Sequence, residues 1–284
     1  SMNWGFMPDA TLINCFQRRP QMYASNRNLI YFNPNYEYLP PLYGDGTPYP
    51  QANFFAARDD GFDPGSPVVN LQTQYRFTLR KSTNPYVAST FVDHQSGATS
   101  LSNCDNTWQF PTNSPSAFYC RLIPGEPANQ DASYQCQGVP SDERQNFANW
   151  YSYYRLRGYS LRTAVTHAFA RLDGNIRIGW QALNNFPIVA TTKVRRFEAN
   201  VRQQFHAFVA SAQFNGSTPA VTAAIRAGKF FSRSGLNAFS PYYDSNLGME
   251  LTCRQNYHLM LSDGYYNDPT WPSGADAAGA ILGP

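Results

Sequence analysis

Between residues 141 and 172, apolar side chains recur at three- and four-residue steps: Phe147, Trp150, Tyr151, Tyr154, Leu161, Val165, Ala168, Phe169 and Leu172. That spacing predicts one amphipathic helix, opened by Ser141, Asp142 and Glu143 and closed by Asp173-Gly174. Gly158 falls on its buried stripe, where a missing Cβ lets another backbone approach closely. Residues 176–183 then alternate apolar and polar positions, the period of a strand. A second, weaker strand is predicted over residues 188–196, antiparallel to the first across Asn184-Asn185. Phe197, Val201, Phe205, Phe208, Val209 and Ala212 mark a second helix, and Val221, Ala224, Ile225, Gly228 and Phe231 a third. Thr218 before Pro219 reads as the start of that third helix, with a hydroxyl at the N-cap and proline at the first helical position. Gly235 ends it. Residues 257–261 form a short, mostly apolar run stopped by Ser262-Asp263-Gly264, which predicts a strand covered on both faces.

The first 140 residues show no sustained period. Asn33-Pro34, Pro40-Pro41, Gly44-Asp45-Gly46 and Asp63-Pro64-Gly65 punctuate them as turns. Short strand candidates appear at residues 75–79 and 86–92. Asp59-Asp60-Gly61-Phe62-Asp63 has the look of a calcium loop, but it lacks the alternating acids and closing Glu of an EF-hand, so a solvated turn is expected. The order helix, strand, strand, helix, helix, strand after Pro140 is the rhythm of an α/β domain. Asp263 stands at the carboxyl end of the last strand, where open α/β sheets gather ligands; the plainer reading is an Asp-Gly turn.

Composition narrows the setting. The chain carries a net charge of +3, with 14% charged residues, and no Lys/Arg run exceeds two, so nucleic acid is a poor partner. No apolar run approaches the roughly 18 residues that would span a bilayer. Tyr (19), Phe (20) and Pro (21) are abundant, and low charge with many Tyr, Asn and Ser suits an extracellular surface. Five cysteines, Cys15, Cys104, Cys120, Cys136 and Cys253, include no Cys-x-x-Cys pair, which argues against zinc and for disulfides in an oxidising compartment. The odd number leaves at least one without a partner in the chain. Cys104, Cys120 and Cys136 lie close together, and a bridge between two of the three is expected, without the sequence saying which. His94, His167, His206 and His258 do not cluster by spacing, and no Gly-x-Ser-x-Gly, Walker loop, His-Glu-x-x-His or Gly-x-Gly-x-x-Gly occurs. No enzyme activity is expected, and catalytic residues are assigned to none.

Three blocks carry a resemblance. Glu143-Arg144-Gln145-Asn146-Phe147-Ala148-Asn149-Trp150-Tyr151-Ser152-Tyr153-Tyr154-Arg155 resembles the first-helix signature of the PilC/PilY family of type IV pilus tip proteins. Cys253-Arg254-Gln255-Asn256-Tyr257-His258 followed by Leu-Ser-Asp-Gly is similar to the family's last core strand. Asn33-Pro34-Asn35-Tyr36-Glu37-Tyr38-Leu39-Pro40-Pro41 and Gly46-Thr47-Pro48-Tyr49-Pro50 resemble its tyrosine- and proline-rich entry. The resemblance implies a von Willebrand factor A-like doubly wound α/β sheet, incomplete here. Residues 141–284 would be that core, and residues 1–140 an irregular, disulfide-containing insertion lobe holding the start of a metal-site motif. Metal-ion-dependent adhesion sites of such domains combine Asp-x-Ser-x-Ser, a later Thr and a later Asp. Thr218 matches the Thr, Asp263 the Asp, and Ser1 the final Ser of the first motif, whose Asp and earlier Ser do not occur in these 284 residues. The implied cofactor is Mg²⁺, which prefers six oxygens and leaves a position open to a partner's carboxylate.

The implied function is adhesion and pilus assembly at a pilus tip, responsive to force, outside the cell. The implied partners are minor pilins or other pilus components and a host or abiotic surface. The alternative weighed against it is a secreted hydrolase or carbohydrate-binding module built on exposed aromatics and paired acids.

Overall fold

The computed structural model describes residues 20–73, 117–183, 194–212, 218–232, 240–244, 247–251 and 253–262. The chain forms two compact units, one taking in residues 1–42 and 48–164, the other residues 43–47 and 165–284.

The first unit is built around α1 (Arg144–Tyr153). The apolar spacing predicted a one-sided helix, yet all residues from Phe147 to Tyr153 are buried. An enclosed helix must find partners for its polar side chains, and this one finds them in the backbone of the irregular segment before it. Asn146 Oδ1 accepts from Tyr38 N at 2.7 Å while its Nδ2 donates to Tyr36 O at 2.7 Å. Asn149 takes Ala52 N at 3.0 Å and gives to Tyr38 O at 2.9 Å and Gln51 Oε1 at 2.6 Å. Trp150 Nε1 donates to Ile30 O at 2.8 Å, Ser152 Oγ to Arg58 O at 2.9 Å and Tyr153 OH to Pro50 O at 2.8 Å. The Pro- and Gly-punctuated segment cannot form ladders of its own, so the helix side chains satisfy its carbonyls and amides instead. Phe32 sits at the centre of the aromatic core, with ring centroids 4.9 Å from Phe147, 5.4 Å from Tyr119 and 6.0 Å from Trp150.

Two ribbons complete this unit. β1 (Ala57–Arg58) pairs antiparallel with β2 (Val68–Val69). β3 (Phe118–Leu122) pairs antiparallel with β4 (Tyr134–Gly138) in a register that sets Cys120 opposite Cys136. Val139 N donates to Ala117 O and Ile123 N to Ser133 O, and counting along the ladder from those bonds makes Cys120/Cys136 a non-hydrogen-bonded pair. Side chains approach most closely at such pairs, and these two are joined as a disulfide. Of the three bridges left open by the sequence, this is the one formed. Cys253 is a free, exposed thiol; Cys15, Cys104 and both early strand candidates lie outside the described residues.

The single helix predicted over residues 141–172 is two, α1 and α2 (Arg157–Ala170). The break is held by side chains that take the last carbonyls of α1, groups a helix end always leaves unmet. Arg155 Nη1 donates to Tyr151 O at 2.7 Å, Thr163 Oγ1 to Tyr153 O at 2.8 Å and Ser160 Oγ to Tyr154 O at 2.7 Å. Gly158 is buried in the first turn of α2, in keeping with its place on the stripe.

In the second unit, β5 (Arg177–Ile178) pairs antiparallel with β6 (Arg195–Arg196), the arrangement expected; residues 184–193, which hold the predicted turn and most of the second predicted strand, lie outside the described residues. The strand predicted to residue 183 stops early because the carbonyls of Ala182 and Leu183 turn to Arg226 Nη2, at 3.3 and 2.6 Å, instead of to a neighbouring strand. α3 (Ala199–Ser211) and α4 (Ala220–Phe231) fall where the periodicity put them. Phe205 packs 4.5 Å from Phe169, 5.5 Å from Trp180 and 5.8 Å from Phe197. The loop at Gly44 belongs to this unit: a Cβ there would lie 2.6 Å from Gln203 Cα, so only glycine fits. β7 (Tyr243–Asp244) and β8 (Met249–Glu250) close a last ribbon.

Among the described residues every strand sits in one of four two-stranded antiparallel ribbons. The covered strand predicted over residues 257–261 is not one of them. That segment forms no strand, and Tyr257 and Leu259 are 83% and 66% exposed. Among the described residues no backbone hydrogen bond reaches it.

Candidate functional site

Of the three predicted metal ligands, only Thr218 is described; Ser1 and Asp263 lie outside the described residues. Thr218 is half-buried just ahead of α4. It does not hold the capping position. Pro219, with ψ 66°, is the N-cap; its carbonyl accepts from Ala223 N, while Thr218 O accepts from Ala220 N at 2.8 Å. Pro219 is therefore one residue outside the helix instead of its first residue, which moves the Thr218 hydroxyl back from the first turn. One hydroxyl does not make a Mg²⁺ site, so the described donors do not constitute one. Among the described residues no group of three or more His, Cys, Asp or Glu side chains is gathered to hold a metal.

The acidic run at Asp59, Asp60 and Asp63 is a turn, as expected, but Asp59 and Asp60 are not left to solvent. Asp59 accepts from Tyr151 OH and lies 3.4 Å from Arg155 Nη2; Asp60 takes Arg162 Nη1 at 2.9 Å and Phe62 N at 2.9 Å. The Arg155 guanidinium stacks 4.0 Å over the Tyr151 ring, and Arg162 lies 5.2 Å over Phe62 and 5.3 Å over Tyr159. Burial, above all, raises the Tyr159 pKa. A glycosidase needs two carboxylates about 5–10 Å apart and free to exchange protons and attack. Here both carboxylates are committed to guanidinium and backbone donors, an arrangement that locks the α1–α2 junction to the turn.

Three tyrosines step inward from the surface of the first unit to its core. Tyr36, 54% exposed, stacks edge-on against Tyr38 with centroids 4.9 Å apart, and Tyr38 stacks in the same way on Tyr154 at 4.9 Å. Tyr154 OH donates to Leu39 O at 2.6 Å, and Tyr38 OH accepts from Asn33 N at 3.0 Å. Burial is the main cause that raises the pKa of both Tyr38 and Tyr154, which keeps their hydroxyls protonated. With Leu39 exposed beside it, Tyr36 presents an apolar ring and a polar tip at the surface, the mixture that suits contact with another macromolecule.

The amides of Gln145, Asn146 and Asn149 and the guanidiniums of Arg155 and Arg162 were not singled out by sequence reasoning. The available signal was an amide-rich run inside a helix that is apolar on the remaining sides, a pattern that calls for buried polar partners.

Compared with known proteins, the chain is similar to the type IV pilus biogenesis factor PilY1 of Pseudomonas aeruginosa strain UCBPP-PA14, 30% identical over 286 residues, or 94% of this chain and 22% of that protein. PilY1 of strain PAK is 30% identical over 288 residues, again 94% of this chain and 23% of the relative. The chain thus spans under a quarter of the length of these curated relatives. No family model and no solved structure matches it.

Proposed function

We propose that this chain is a segment of a type IV pilus biogenesis factor of the PilC/PilY kind, acting outside the cell as an adhesion and assembly module at the pilus tip. The observation that carries the reading is the similarity to PilY1 along 94% of the chain. It covers both compact units, including the α1 block whose side chains hold the first unit together. Its partners are minor pilins or other pilus components on one side and a host or abiotic surface on the other. The exposed Tyr36 and Leu39, with Tyr36 backed by the buried Tyr38 ring, support the contact role. No described helix is long and apolar enough to cross a membrane. A response to pulling force belongs to the same reading: the Cys120–Cys136 bridge limits how far the β3–β4 hairpin extends under load.

The fold that goes with this reading is von Willebrand factor A-like, supported by the helix, strand, strand, helix, helix order of α2, β5, β6, α3 and α4. Its Mg²⁺ site would draw on Ser1, Thr218 and Asp263. The first motif's Asp and earlier Ser are missing from residues 1–284. Calorimetry on this chain should therefore give weak heats or none with Mg²⁺, and a tight one-to-one isotherm would show that these residues suffice for a site.

The test of function is genetic. Removal of the region encoding these residues from the chromosome of the bacterium that carries it should sharply reduce surface pili counted by electron microscopy, and the intact gene should restore them. Undiminished piliation and surface attachment in the deletion strain would overturn the reading.

A further inference from the structure

Residues 257–261 combine features that do not belong together in a finished surface. Tyr257, Leu259 and Leu261 are 83%, 66% and 41% exposed. They occupy alternate positions, so in an extended backbone they share one face. The segment is neither helical nor a turn, and among the described residues no backbone hydrogen bond reaches any of its five residues. Its start, by contrast, is anchored to the β7–β8 ribbon. Arg254 Nη2 donates to Asp244 Oδ2 at 2.9 Å in a largely buried ion pair, and Asn256 Nδ2 donates to Tyr242 OH at 3.2 Å. The segment is thus held at one end, apolar, and unmet along its backbone. That is the description of a strand without its neighbour.

An extended backbone turns its donors and acceptors alternately to two edges, and the groups along one edge are satisfied in register by another extended backbone, not by a helix face or a small ligand. The chain spans 22% and 23% of the relatives that match it, so polypeptide beyond these residues is the available source. We propose that residues 257–261 form a β-strand by pairing with an extended segment of the same polypeptide that lies outside residues 1–284. The pairing meets the open backbone groups along one edge of the segment. This rests on the chain being part of a longer protein, as the proposed function also does, but not on any role in pili.

Hydrogen–deuterium exchange tests it on two samples: residues 1–284 alone and the full-length natural polypeptide. In the short chain, peptides covering residues 255–262 should exchange at the rate of an open segment; in the full polypeptide they should be slowed by about 100-fold or more. Equal, fast exchange in both samples overturns the proposal. Slow exchange in the short chain that deepens with concentration, alongside a dimer by light scattering, also overturns it by naming a second copy as the neighbour. In the full polypeptide, His258→Pro and Leu259→Pro, made separately, each remove a donor from one of the two edges, and one of the two should return the paired amides of the segment to fast exchange; protection retained in both would show that it does not arise from backbone pairing. These outcomes are independent of piliation, so a failure of the functional reading leaves this test standing.

Discussion

The first unit stands or falls on single polar atoms and single missing ones. Asn149 serves three partners: Ala52 N, Tyr38 O and Gln51 Oε1. Asn149→Ala leaves a backbone donor and a backbone acceptor unmet in a buried setting, a loss of about 1–3 kcal/mol for each, so about 3 kcal/mol in all is expected. Asn149→Asp keeps the acceptor for Ala52 N and should cost about half as much. Urea unfolding followed through Trp150 fluorescence measures both, and equal costs would show that the donor side is idle. Gly61 illustrates the opposite case, where an atom is excluded. A Cβ at this position would lie 2.6 Å from Tyr153 Cδ1 and 2.8 Å from its Cζ. That ring cannot swing aside while its hydroxyl is bonded to Pro50 O. Gly61→Ala should therefore destabilise by about 1–3 kcal/mol through overpacking. Gly61→Ala combined with Tyr153→Leu should recover part of that loss in the same unfolding measurement, since the ring is what the methyl strikes.

Among the elements, the β3–β4 hairpin is the one fixed covalently. Cys120 and Cys136 are 16 residues apart, and closing a loop of about that size restricts the unfolded chain by about 3 kcal/mol. The double variant Cys120→Ala, Cys136→Ala should lose about that much stability under non-reducing conditions and become insensitive to reductant; a reductant-sensitive melting temperature in the variant would point to a second bridge. What the sequence revealed at this scale depended on whether the information was local. α3, α4 and most of α1 and α2 were legible because apolar positions at helical spacing survive any detail of packing. The break between α1 and α2 was not legible. It depends on Arg155, Ser160 and Thr163 reaching back to α1 carbonyls, and in a one-dimensional pattern those residues look like ordinary polar positions. Thr218 was placed one residue too deep for the same reason: whether a proline starts a helix or precedes it is a matter of its ψ, which the Thr-Pro pair does not fix. The run at residues 257–261 announced that it should be covered, but composition cannot say by what.

For the molecule as a whole, tyrosine takes the place that charged pairs and long ladders hold elsewhere. With 14% charged residues and 19 tyrosines, the chain has its first unit fastened largely by ring contacts and by phenol hydroxyls bonded to backbone carbonyls. This fastening has a pH signature. Burial, as the leading cause, raises the pKa values of Tyr38, Tyr119, Tyr154 and Tyr159, all within this unit. A group whose pKa is higher folded than unfolded favours the folded state fully below its unfolded value and loses that contribution as the pH rises through the folded value. The unfolded value for tyrosine is about 10. Stability of the first unit should therefore be flat from neutral pH to about pH 9.5 on account of these groups and then fall as the pH climbs, with phenolate absorbance appearing together with loss of the near-ultraviolet signal of the aromatic core. Tyr154→Phe removes one of the four hydroxyls and also the bond to Leu39 O, so it should be less stable than the native chain at neutral pH yet lose less additional stability between pH 9.5 and 11. Phenolate formation at pH 10 in a chain that keeps its aromatic signal would show instead that these hydroxyls titrate in place, and that the burial holding them protonated is weaker than the packing around them.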